Sequence, residues 1–229
     1  MQQQQKKVPA KRLLNLKNKK VIIWDWNGTL LNDAELCVMC MNIVLKKRQM
    51  NPINIEQYRN LFTFPVKNYY ESVGFNFGEE DFEIPAMEFI DHYYSQLNQS
   101  DLHPYAFEIL EFFKRLGFKQ LVLSAMEHDN LISSLTDKGI VDFFDDISGI
   151  NDHYAHSKLE MGVDLMKDSG VNEKEVLMIG DTIHDFEVAT GLGVDCILVS
   201  NGHQSEERLL KTTPNVISEL KEIKSFFNP

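Results

Sequence analysis

Three cysteines in 229 residues, Cys37, Cys40 and Cys196, are too few and too unevenly placed for a disulfide framework. The Cys37-x-x-Cys40 pair has no second pair with which to complete a zinc site, and both residues sit in an apolar helical run. They read as reduced, buried thiols and not as a redox motif. No run of about 18 apolar residues exists, so no membrane span is expected. The N-terminal stretch MQQQQKKVPAKRLLNLKNKK lacks the apolar core of a signal peptide, which makes a cytoplasmic protein the expectation. Basic residues are also scarce, 23 against 34 acidic, for a formal charge of −11. The first twenty residues hold seven of the basic ones and no acid, so the remainder sets sixteen basic against 34 acidic residues, a charge of −18. A body this acidic has no general attraction for nucleic acid or an anionic membrane, and an anionic ligand must enter a specific site. Neither a fixed-period repeat nor a low-complexity tract beyond the glutamines appears. What is present, 43% hydrophobic and 25% charged residues, is ordinary globular composition with enough chain to bury a core.

The apolar run after Lys20, ended by Asn27-Gly28, predicts a buried parallel strand that delivers Asp25 to its C-terminal tip. Helical spacing follows from Asp33 to about Met50, then over 55–62, 66–73 and 80–97, interrupted by Pro52, Pro65 and the Gly74 to Gly78 turn. After Pro104 strands and helices alternate. Helices are expected over 105–116, 129–138, 158–167, 184–190 and 218–226, with strands over 119–124, 143–148, 175–181 and 194–199. The expected fold class is α/β, a doubly wound parallel sheet with an all-helical insertion after its first strand. The boundaries are a basic arm over 1–19, a core over 20–32 and 101–229, and an inserted segment over 33–100.

Ligands of open α/β sheets bind at the carboxyl ends of strands. Here those ends carry Asp25, Ser124 and Gly180-Asp181, with Asp185 one helical turn further. Carboxylates converging at one edge repel one another unless a divalent cation holds them, and oxygen ligands alone suit Mg²⁺. Lys158 stands as a candidate counter-charge.

The segments Asp25-Trp26-Asn27-Gly28-Thr29-Leu30, Ser124 after LVL, Lys158, and Gly180-Asp181-Thr182-x-x-Asp185 resemble, in order, the four motifs of the haloacid dehalogenase superfamily. The resemblance spans residues 20 to about 200 and is nearest to the phosphoglycolate phosphatase-like group. It implies a Mg²⁺-dependent phosphatase acting on a small phosphorylated metabolite, with segment 33–100 as a mobile cap. Asp25 would be the nucleophile and form an aspartyl-phosphate. Mg²⁺ would be held by Asp25, the Asn27 carbonyl, Asp181 and Asp185. Ser124, Lys158 and backbone amides of the Gly28-Thr29 turn and of Ala125 would bind the phosphoryl group. His184, inside the fourth motif, is expected to face solvent. The resemblance says nothing of oligomeric state.

One position departs from the family pattern. A second aspartate, serving as general acid and base, is usual two residues after the nucleophile, and here stands Asn27, which cannot exchange a proton near neutral pH. Four readings follow: a phosphatase with a good leaving group or an acid elsewhere; a phosphonoacetaldehyde hydrolase-like enzyme with a Schiff-base lysine, for which Lys46 and Lys67 are candidates; a non-catalytic phosphate-binding domain; or an engineered residue. Arg59 and Lys67 are the cations available for a substrate carboxylate. The inserted segment's Phe62, Phe64, Tyr69, Tyr70, Phe75, Phe77, Phe82 and Phe89 are expected mostly as packing between helices. Asp33 is expected at the hinge into the insertion.

Overall fold

The computed structural model describes residues 14, 16–150 and 157–227, so most of the basic arm lies outside the described residues. Its last residues belong to the core. Leu16–Asn18 form a 3-10 turn with Leu16 buried. Lys19 is buried too, donating to the carbonyls of Lys174 (3.0 Å) and Val176 (2.8 Å) and pairing with Asp195 (2.7 Å).

Six parallel strands form one sheet: β1 (Val21–Trp24), β2 (Lys119–Glu127), β3 (Asp146–Ile150), β4 (Val176–Gly180), β5 (Asp195–Val199) and β6 (Val216–Ile217). Their order is β3-β2-β1-β4-β5-β6, so the chain winds one way from β1 to β3 and the other from β4 to β6. The reversal falls between β1 and β4. Along each strand the side chains alternate between two cores. Ile22, Trp24, Val122, Leu177 and Ile179 enter one, together with α5 (Ala106–Arg115) and α6 (His128–Asp137). Val21, Ile23, Leu121, Val176 and Met178 enter the other, under α7 (Lys158–Asp168), α8 (Ile183–Leu192) and α9 (Glu206–Thr212). The doubly wound α/β expectation holds.

Between β1 and α5 the chain is helical, as the spacing predicts: α1 (Ala34–Lys47), α2 (Ile55–Leu61), α3 (Val66–Val73) and α4 (Glu83–Gln96). The apolar stripe Leu36, Cys37, Cys40, Met41, Val44 and Leu45 of α1 is buried, and α1 packs on α4 and α2. Asn54 opens α2 with a capping box to Gln57. Where the segment leaves and rejoins the core, Leu31 bridges Leu102 in antiparallel sense and the Asn32 amide donates to the Asp101 carbonyl at 2.9 Å. All three cysteines are buried and unbridged.

Several elements differ from expectation. The strand expected over 119–124 runs to Glu127 with a register shift after Leu123, so Ser124 lies inside the strand and not at its end. The strand expected over 143–148 begins at Asp146, because Val141–Phe143 is a 3-10 turn. The helix expected over 218–226 is a 3-10 segment, Leu220–Phe226, whose buried Leu220 and Ile223 recur every three residues, the period of that helix. The short α9 and the two-residue β6 were not expected.

Candidate active site

The register pairs Trp24 with Val122 on one side and Ile179 on the other, so Asp25 and Asp181 leave adjacent strands at the switch point of the sheet. Asp25, Asp181 and Asp185 each place a carboxylate oxygen within 4.8 Å of the others, and all three are buried. The Thr29 hydroxyl lies 3.1 Å from both Asp25 Oδ2 and Asp181 Oδ1, bridging the two strand tips. Lys158, first residue of α7, pairs with Asp25 and, at 2.6 Å, with Asp185 Oδ1. Asp185 is held from the other side by the capping box of α8. Its Oδ2 accepts from the Thr182 hydroxyl (2.7 Å) and the Thr182 amide (3.0 Å), while the Thr182 hydroxyl caps the Asp185 amide. The main-chain amide of His203 donates to Asp181 Oδ2 at 2.6 Å.

Burial sets the electrostatics. It raises the Asp25 carboxyl to about 6 even though Lys158 pulls it down, and raises Asp181 to about 8 against the pull of His203. Burial also works against the charge of Lys158, but Asp185 and Asp25 outweigh it and keep the ammonium firmly protonated. Asp185 is correspondingly lowered: Lys158 and the Thr182 bonds overcome the burial that would raise it. The cluster thus carries more negative charge than one lysine balances, in an all-oxygen donor set, and that is the environment a hard divalent cation fits.

A second buried group lies beside the first. Asp33, placed by the sequence at a hinge, accepts from the Gly28 amide (2.8 Å), the Asn27 Nδ2 (3.0 Å), the Tyr93 hydroxyl (2.6 Å) and His203 Nε2 (3.3 Å). Tyr58 and His203 Nδ1 share a hydrogen bond of 2.9 Å. Burial works against a charged imidazole, yet Asp33 raises His203 to about 9, and His203 in turn holds Asp33 below its ordinary value against its own burial. Asn27 belongs to this network. Its Nδ2 also donates to the Tyr93 hydroxyl at 2.8 Å, and its Oδ1 accepts a long bond, 3.4 Å, from Ser124. An aspartate at 27 would set a second carboxylate against Asp33, so the amide is electrostatically at home here.

The structure therefore brings together Asp25, Asn27, Lys158, Asp181 and Asp185, with Thr29 and Ser124 in hydrogen-bond contact with them. Two expected phosphate donors are otherwise engaged. The Gly28 amide is taken by Asp33 and the Leu31 carbonyl, and the Thr29 amide by the Trp26 carbonyl at 3.3 Å. Gly28 has φ +75°, and a Cβ there would stand 2.4 Å from Asp181 Oδ2, so the position needs glycine for close approach.

A cavity of about 290 Å³ opens at this edge, lined by Asp25, Ala125, Lys158 and Asp181 and by aromatic residues of α2 to α4 and their connections. Phe62, Phe64, Tyr69, Tyr70 and Phe89 all line it, five of the eight aromatic residues expected mostly as packing. Phe75, Phe77 and Phe82 do pack within the helical segment. His184, expected to face solvent, is at the cavity wall with its ring 4.7 Å from that of Phe64. Lys46 and Lys67 are exposed and line no part of the cavity, and Lys67 lies over the Phe77 ring at 5.4 Å. Arg59 donates to the carbonyls of Gly202 (2.9 Å) and Asn201 (2.8 Å). The lysine that a Schiff-base route needs is thus missing from the cavity among the described residues, Lys158 being committed to two carboxylates.

A profile of the haloacid dehalogenase-like hydrolases matches residues 22–199. The chain belongs to that family. It is 26% identical over 204 residues to the phosphoglycolate phosphatase of Caulobacter vibrioides, covering 82% of each chain. Among solved structures it is similar to a haloacid dehalogenase-like hydrolase of Streptococcus pneumoniae (TM-score 0.80, 17% identity, 92% of this chain and 99% of that one). It is similar also to a predicted phosphoglycolate phosphatase of Haemophilus somnus (TM-score 0.76, 20% identity, 93% and 100%). For a haloacid dehalogenase-like hydrolase, the buried Asp33–His203–Tyr93 group is what sequence reasoning missed. One signal was available: β5 is a strand like the others, and the residues after its tip, Asn201 to His203, fall at the edge where ligands bind.

Proposed function

We propose that this haloacid dehalogenase-like hydrolase is a Mg²⁺-dependent phosphatase that cleaves a small phosphate monoester through an aspartyl-phosphate on Asp25. The observation that carries the reading is Asp25 at the switch point, paired with Lys158 and within 4.8 Å of two further buried carboxylates. The phosphatase names of the relatives support the ester class. Asp25 attacks phosphorus, the bond to the ester oxygen breaks, and the alcohol leaves with a proton drawn from water. Water then attacks the aspartyl-phosphate at phosphorus, releasing inorganic phosphate and restoring Asp25. Lys158 keeps Asp25 ionised, and Thr29 holds Asp25 against Asp181. Asp25, Asp181 and the Asn27 carbonyl would hold Mg²⁺, with Asp185 aligning them. When bound, the ion supplies the positive charge under which a carboxylate and a phosphoryl group, both anionic, approach each other.

Ser124, the Ala125 amide and Lys158 bind phosphoryl oxygens. The Gly28 turn serves by holding Asp33 and Asp181 in place. The helical segment 33–100 acts as a cap that walls the site and excludes water from it. With Asn27 neutral, no acid stands at the usual place, so turnover of esters with basic leaving alkoxides is slower by about 10²- to 10⁴-fold than an acid there would allow. The partner is a small phosphorylated metabolite, and 2-phosphoglycolate is the ester the relatives' names suggest first. No described helix is long and apolar enough to cross a membrane.

The test is phosphate release from acetyl phosphate, whose leaving group needs little protonation, in Mg²⁺ and in chelator. Acid-quench trapping of labelled aspartyl-phosphate accompanies it. Asp25→Asn is expected to lower kcat on the order of 10⁴-fold and to abolish trapping. Turnover surviving in Asp25→Asn or in chelator would overturn the reading.

A further inference from the structure

The aromatic wall of the cavity carries no uncommitted cation among the described residues. Phe62, Phe64, Tyr70, Phe89, Tyr94 and Ile90 form it. Of the two cations expected to meet a substrate carboxylate, Arg59 is bound to backbone carbonyls and Lys67 stands outside. Lys158 serves Asp25 and Asp185, and both ring nitrogens of His203 are engaged, by Asp33 and by Tyr58. His184 lies against Phe64, the two rings tilted by 31°, with its Nδ1 3.6 Å from Glu187. The remaining charged lining is carboxylate: Asp25, Asp33, Asp181 and Asp185. A second negative charge on the leaving group would be buried against aromatic rings with no free cation to pair with it. Among the described residues a neutral hydrogen-bonding group is free. Tyr69 lines the cavity, is 2% exposed, and its hydroxyl has no partner.

Resting on the phosphatase reading above, we propose that the substrate is the phosphate monoester of an uncharged, ring-bearing alcohol, its ring held by the aromatic wall, and not an ester whose alcohol carries a carboxylate. At about 290 Å³ the cavity sits at the small end of ligand sites, which suits a single ring and not a nucleoside.

The experiment compares kcat/KM in Mg²⁺ for benzyl phosphate, ethyl phosphate and 2-phosphoglycolate, whose leaving alkoxides are of similar basicity, with acetyl phosphate as a reference for turnover itself. Benzyl phosphate is expected to exceed ethyl phosphate by about 10- to 100-fold and 2-phosphoglycolate by about 100-fold. Phe89→Ala should raise KM for benzyl phosphate about 10-fold and leave ethyl phosphate nearly unchanged. Ile90→Arg, which adds a cation at a residue 40% exposed, should narrow or reverse the preference. A 2-phosphoglycolate rate equal to or above that of benzyl phosphate in the unaltered chain overturns the proposal.

Calorimetry separates the two readings. With Mg²⁺, the non-hydrolysable benzylphosphonate should bind more tightly than phosphonoacetate. If no ester, acetyl phosphate included, is hydrolysed, the phosphatase reading fails, and this order of binding still upholds the ligand class. The reverse order overturns the ligand class whatever the turnover.

Discussion

At residue 27 the chain exchanges a titratable group for a hydrogen-bonding one, and Asp33 explains how that exchange fits. Asn27 spends both faces of its amide, donating to Asp33 and Tyr93 and accepting from Ser124. Asn27→Asp replaces the donor with an acceptor facing the lowered, ionised Asp33. Two carboxyls so placed cannot both ionise, and the newcomer holds its proton into the neutral range, as a general acid must. We expect Asn27→Asp to raise kcat for ethyl phosphate about 100-fold, with the gain declining as pH rises and the new carboxyl ionises. A pH–rate profile checks this. An unchanged rate would mean that the leaving oxygen already receives its proton by another route.

Helix α8 shows how an element carries the site. Thr182 opens it with a capping box whose N3 residue is Asp185, so the side chain that caps the helix also fixes the carboxylate beside Lys158. Thr182→Ala should cost about 1 kcal/mol of stability through the lost cap. It should also weaken Mg²⁺ binding about 10- to 100-fold by freeing the orientation of Asp185. Thermal unfolding and Mg²⁺ titration read these separately, and lost stability with unchanged Mg²⁺ affinity would confine Thr182 to capping. The same scale explains what the sequence made legible. Asp25, Lys158, Asp181 and Asp185 could be found because each sits at a strand tip or a helix start, and such positions leave marks in apolar period and in motif order. Asp33 and His203 left only positional marks, the one as the residue before α1 and the other as a residue just past the tip of β5. They are 170 positions apart, and neither carries a partner at a fixed spacing. Helix α9 escaped because Leu209 is its one buried residue, too little for a stripe, and β6 because two residues make no period. The aromatic residues of α2 to α4 had spacing enough to announce helices, but spacing cannot say which rings face a cavity and which face one another.

For the whole molecule, the metal-free protein holds protons in the folded state that it gives up on unfolding. Asp25 and Asp181 move from 3.8 to about 6 and about 8, and His203 from 6.5 to about 9. Each therefore binds more protons folded than unfolded between its two values. Stability in chelator should fall as pH rises from about 4 to about 9, with the share of the His203–Asp33 pair intact below about 6.5 and lost through about 9. Mg²⁺ should restore more stability at pH 8 than at pH 6, because the cation takes the place of protons the carboxylates would otherwise keep. Differential scanning calorimetry across pH checks both slopes. A chelator-treated protein as stable at pH 9 as at pH 6 would show that these groups do not govern the balance.

Helices α7 and α8 both begin at the edge that carries Asp25 and Asp181, Lys158 opening one and Asp185 lying in the first turn of the other. Their peptide dipoles therefore run in the same sense and converge there, adding two partial positive charges, roughly half an elementary charge each, that no side chain supplies. A dianion arriving at this acidic molecule meets a small region of favourable potential built into the main chain. Neutralising Lys158 would dim that potential without extinguishing it, since its remainder is a property of how the helices point.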